Sequence, residues 1–112
     1  MLAALHVDAI ALRDRFPPDT PDTVFLPQLA GSGIVYLTAD TSQTRRVQEA
    51  RALREAGITA LFVAPFWGKL AFWDQAIWLV RRWREIDRFA VTVQAGTCAE
   101  IKQNGSALVF SL

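Results

Sequence analysis

A chain of 112 residues that is 52% apolar, with seven Phe, four Trp and one Tyr, can bury one compact core, so a single domain over 1–112 is expected. Twelve basic against eleven acidic residues give a formal charge of +1, which excludes a global pull toward nucleic acid or an acidic partner and leaves such binding to local patches. One cysteine and one histidine exclude an intramolecular disulfide and a Cys/His zinc cluster.

The opening MLAALHVDAIALRD lacks a basic start, and its apolar runs are too short for a signal peptide or a membrane span. A cytoplasmic protein without a membrane segment is expected. Alternation in HVDAIALRDRF predicts a strand over 6–12, and PPDTPD is a loop because its prolines fix φ and lack amide donors. Thr20 is expected to cap a helix starting at Pro21, with Asp22 in the first turn against the helix dipole. That helix carries Val24, Phe25, Leu26 and Leu29 and stops at GSG, where Gly31 or Gly33 takes the left-handed conformation.

Next, IVYLTA is a short apolar run with the length of a strand buried on both faces. A helix over 43–56 follows, with Val47, Ala50 and Leu53 inward and Gly57 as its stop, and ITALFVA is the next buried strand. The segment 69–87 is helical with two apolar stripes, Leu70/Trp73/Ile77/Val80 and Phe72/Leu79/Trp83/Ile86. One stripe covers the sheet, and the other calls for a second helix or a second subunit. Asn104-Gly105 marks a C-terminal hairpin. Alternating strands and helices specify an α/β fold with a mostly parallel sheet between helices.

In such sheets ligands bind beyond the carboxyl ends of the strands. Asp40 ends the IVYLTA strand after Thr38, and Asp22 opens the preceding helix, so a right-handed arrangement brings both carboxylates to one rim. Two neighbouring acids repel unless a cation neutralises them, and oxygen ligands suit Mg²⁺ or Mn²⁺. Such an ion activates water and stabilises charge on a phosphate. The plainer alternative makes Asp22 a first-turn residue and Asp40 a cap for the following helix.

The stretch DTVFLPQLAGSGIVYLTAD resembles the late acidic half of PIN-domain nucleases: an aspartate opening a helix, a small-residue turn, an apolar strand and a Thr-x-Asp ending. TRRVQEARALREAGITALFVA is similar to the compact PIN-like branch that includes toxins of the VapC type, and the resemblance extends from Leu2 to about Asp87. It implies a three-layer, Rossmann-like PIN fold and a metal-dependent ribonuclease toxin, with Asp22 and Asp40 as catalytic metal ligands and an antitoxin protein that occludes the site. The family begins with an interior strand ending in an aspartate ligand. MLAALHVDAIALRD instead looks like the end of the first helix running into the second strand, so the resemblance places that first strand before Met1. An upstream extension or another polypeptide would supply it, or the chain is a degenerate remnant. Asp8 and Asp14 do not fall where the family places its ligand.

Arg45 and Arg46 are candidates for RNA phosphate contacts, against ordinary helix solvation with Arg45 pairing Glu49. Glu49 orients Arg46 or acts as an outer metal ligand, against a plain surface ion pair. WDQAIWLVRRWRE interleaves Trp78 and Trp83 with Arg81, Arg82 and Arg84, a pattern that can bind single-stranded nucleic acid. Helically spaced tryptophans are more often core or interface, which is the favoured reading. His6, Ser32, Ser42 and Cys98 belong to no triad or nucleophile motif, and GSG is no phosphate loop. Two functions remain: a metal-dependent endoribonuclease, or a non-catalytic PIN-like module that binds an antitoxin or itself through the tryptophan-rich helix. The second apolar stripe and the missing first strand both point to a homo-oligomer.

Overall fold

The computed structural model describes residues 16–17, 19–31, 33–41 and 46–111, with Asp22 described by its backbone alone. The strand expected over 6–12, and with it His6, Asp8 and Asp14, lies outside the described residues, as does Arg45. The elements are α1 (Asp22–Leu29), β1 (Tyr36–Thr38), α2 (Val47–Ala56), β2 (Ala60–Val63), a 3₁₀ turn (Pro65–Lys69), α3 (Phe72–Thr92), β3 (Cys98–Ile101) and β4 (Ala107–Phe110). They form one four-stranded sheet in the order β1-β2-β3-β4. β1, β2 and β3 run parallel, and β4 returns antiparallel to β3. No helix among the described residues is long and apolar enough to cross a membrane.

Strand alternation divides the core into two layers. Tyr36, Ala60, Phe62 and Cys98 face Phe25, Leu26 and Leu29 of α1 and Ala52 and Leu53 of α2. Leu61, Val63, Ala99 and Ile101 face Trp78 and Ile86 of α3, with Leu37, Leu79 and Phe89 packed alongside. The result is the three-layer α/β arrangement expected from the sequence. β1, β2 and β3 step across the sheet in one direction while α2 and α3 cover opposite faces. The two parallel crossovers therefore differ in hand, although right-handed connections are the near-universal choice.

Several local expectations are corrected. Thr20 does not cap α1: its hydroxyl donates to the Pro17 carbonyl at 2.8 Å, and the extended Pro21 precedes the helix with no side-chain cap. The helix also stops before its glycines, with Ala30 N–H donating to the Pro27 carbonyl, while Gly31 and Gly33, both at positive φ, shape the turn into β1. Pro27 sits inside α1 and has no amide hydrogen for the carbonyl four residues back, which favours an early end.

α2 ends as expected, at Gly57 in the left-handed conformation with φ 63°. Val47 is not on its inner face. It is 82% exposed, because at the first helical position it precedes the Ala52 and Leu53 turn that meets the sheet. The expected helix from Lys69 is instead a 3₁₀ turn ending there, followed by α3, which runs past Asp87 to Thr92. Pro65 opens the 3₁₀ turn, and Leu70, beyond it, packs against the α3 layer.

The hairpin forms at Asn104-Gly105, as the sequence indicates. Lys102 N–H donates to the Ser106 carbonyl at 2.8 Å and Gly105 N–H to the Lys102 carbonyl at 2.9 Å. Asn104 Oδ1 accepts from the Ser106 amide and hydroxyl. Its tip is fastened to α3 by Trp78 Nε1, which donates to the Gln103 carbonyl at 2.8 Å. Trp78 is thus a core residue with its one polar atom satisfied, as a buried indole requires.

Candidate metal centre

β1 ends at Thr38, and the chain leaves the sheet through Ala39 and Asp40. Asp40 N–H donates to Thr38 Oγ1 at 3.1 Å, so the hydroxyl bonds two residues forward in the manner of a serine or threonine turn. This holds an exposed Asp40 at the carboxyl rim of the sheet. The rim is fixed by parallel pairing: Thr38 lies level with Phe62, and Phe62 level with Glu100.

The start of α2 returns to this rim, since α2 connects the carboxyl end of β1 to the start of β2. Arg46 occupies the N-cap position and Glu49 the first turn. They form an ion pair at 3.3 Å, with side chains 54% and 19% exposed. Glu49 therefore pairs with Arg46, three residues away, in the ion pair that the plainer reading of these two residues also expects. Within the family-like stretch, Thr38, Asp40, Arg46 and Glu49 are gathered at one strand end and the following helix start. Asp22 opens α1.

Glu100 was not singled out by sequence. It stands two strands from Thr38 in the same cross-strand row, roughly 10 Å away by strand spacing. Its carboxylate is paired with Lys102. Only sheet register makes it a neighbour of the rim, and the sequence of CAEIK offers no signal of that register.

Among the described residues no three His, Cys, Asp or Glu gather into a group that could hold a metal ion. The acidic donors described at the rim, Asp40 and Glu49, are carboxylate oxygens, and Cys98 is buried in the sheet. In kind, the donor set suits a hard cation such as Mg²⁺ or Mn²⁺ rather than zinc.

The basic aromatic cluster separates. Trp78 is buried, at 8% exposure, and has its ring beside Phe66 and Trp67. Arg82 pairs with Glu85 at 3.1 Å. Trp78 is therefore a core residue, as the favoured reading has it, and its ring is not free for stacking on a base.

A model of the PIN-like domain family matches residues 1–65, more than half of the 112-residue chain. The match includes Asp22, Thr38, Asp40, Arg46 and Glu49. It stops at Pro65, whereas the resemblance read from the sequence reaches Asp87, so α3 and the hairpin lie beyond it. No curated protein and no solved structure matches the chain.

Proposed function

Because the chain belongs to the PIN-like domain family, we propose that it is a metal-dependent ribonuclease that hydrolyses RNA phosphodiester bonds at the rim beyond β1. The observation that carries this reading is Asp40, exposed at the carboxyl end of a parallel strand and positioned through its amide by Thr38. That is where ligands bind in open α/β sheets. Asp40 and Asp22 would hold the ion, Thr38 positions Asp40, and Glu49 orients Arg46. Mg²⁺ or Mn²⁺ bound there supplies charge neutralisation and a water of lowered pKa.

Arg46 donates to Glu49 in the ion pair, and its other guanidinium hydrogens can meet an RNA phosphate. Arg45 is the second phosphate contact of this proposal. The wider proposal is a cytoplasmic toxin whose cognate antitoxin covers the rim. It rests on the similarity of TRRVQEARALREAGITALFVA to the compact toxin branch.

RNA cleavage by the wild type and by Asp40→Ala, each titrated with Mg²⁺ and Mn²⁺, tests the enzyme. Cleavage should require the metal and fall at least about a hundredfold in the variant, as expected when transition-state charge loses its stabilising group. Metal-independent cleavage, or none from either chain, would sink the nuclease reading. The exposed apolar face of α3 would then favour the non-catalytic interaction module.

A further inference from the structure

The carboxyl rim of the sheet continues past the residues that the family model matches. Thr38, Phe62 and Glu100 share one cross-strand row, and alternation turns that row to the side on which Tyr36, Phe62 and Cys98 meet α1 and α2. Arg46 and Glu49 stand at the start of α2 on the same side. Lys102 follows the last residue of β3, and its side chain comes back to pair with Glu100. Its backbone is held by the hairpin, where the Lys102 amide donates to the Ser106 carbonyl at 2.8 Å. The rim therefore carries two cations, each beside a carboxylate. Arg46 pairs with Glu49 at the β1 end, and Lys102 pairs with Glu100 at the β3 end, two strand spacings or roughly 10 Å along the row from Thr38.

The Glu100–Lys102 pair does little for the fold. Its side chains are 27% and 44% exposed, and an ion pair so open to water adds little stability. The corner is accessible, since Leu108, directly across from Glu100, is 56% exposed. An ammonium group has three hydrogens. Glu100 accepts one, and no other side chain among the described residues accepts from Lys102, which leaves two for an incoming anion.

We infer that Lys102, held beside Glu100, is a phosphate contact of this rim, and that a single RNA strand bound at Asp40 runs across the carboxyl ends of β1, β2 and β3 toward the hairpin. This rests on the reading of the rim as an RNA site and adds to it a residue and a direction. β2, which lies between, is ALFV and brings no acid that would repel the backbone. A contact of this kind fixes the position of the strand without reading its sequence. Glu100 and Lys102 both lie beyond residue 65, where the family match ends, so the contact belongs to the part of this chain outside the matched module.

The test is the affinity of the full chain for a labelled single-stranded RNA, followed by fluorescence anisotropy without added divalent metal so that the strand stays intact. Lys102→Gln should raise Kd roughly tenfold, as for one lost charge-assisted hydrogen bond. It should also flatten the dependence of log Kd on log salt by about 0.7, the share of one phosphate on a single strand. A lysine with a purely structural role would leave that slope unchanged. Lys102→Arg should retain both properties, and circular dichroism should be the same for all variants. Glu100→Gln/Lys102→Gln has the net charge of the wild type, and should still bind weakly with the flattened slope. A wild type that does not bind the strand, a Lys102→Gln slope equal to that of the wild type, or a double variant that binds like the wild type would each overturn the inference. The nuclease reading fails separately: a chain that binds RNA through Lys102 and cleaves none keeps this contact and loses the hydrolysis.

Discussion

Thr38 illustrates how much of the proposed chemistry depends on one hydroxyl. It contributes little to the core, yet its Oγ1 is the acceptor for the Asp40 amide. Thr38→Val keeps the shape and removes that acceptor. Metal-dependent cleavage should fall about 10–100-fold, the usual cost of losing a partner that orients a metal ligand. Chemical denaturation should register a loss of only about 1 kcal/mol. The exposed place of Asp40 just past β1 was legible, because a carboxylate does not sit unpaired within a buried strand. The Arg46–Glu49 pairing was less legible, because arginines adjacent in sequence offer two partners to the same glutamate.

At the level of elements, two of the contacts between α3 and the hairpin are ones the sequence gives no way to foresee. Trp78 donates to Gln103, and the α-hydrogen side of Gly105 faces the Glu85 carboxylate, which an added Cβ would meet below van der Waals distance. Gly105 also has φ 89°, where other residues are strained. Gly105→Ala should therefore destabilise by about 1–3 kcal/mol in equilibrium urea unfolding, with some relief as the flexible Glu85 swings away. Trp78→Phe should cost a similar amount, through a lost hydrogen bond and an unfilled space. Asn-Gly announced the turn by local chemistry alone, whereas the surface against which it folds is a matter of tertiary packing. The same distinction explains Thr20 and Val47, whose types suit a cap and an apolar face while their surroundings give them neither role.

For the molecule as a whole, composition and alternation revealed a layered α/β fold because burial on both sheet faces leaves a clear apolar signature in LFVA and its neighbours. Strand order and the differing hands of the crossovers are not written in that signature. Cys98 offers a whole-molecule probe: it is 7% exposed, and burial raises the pKa of its thiol. The folded chain should react slowly with iodoacetamide at pH 8 and rapidly once unfolded. Since the unfolded thiol ionises first, unfolding releases a proton above its ordinary pKa of about 8.5. The Cys98 contribution should therefore lower stability as pH rises past that value, and denaturation in wild type against Cys98→Ala should show the slope shrink. The family match ends at Pro65, just where the chain leaves β2 and crosses to the other side. Leu61 and Val63 belong to the matched part, but the side chains that shield them from water, Trp78, Ile86, Ala99 and Ile101, come from beyond it. The matched part and the segment beyond it therefore share one layer of the core, so the β1–β2 edge of the sheet is dry only while α3 and β3 are folded against it.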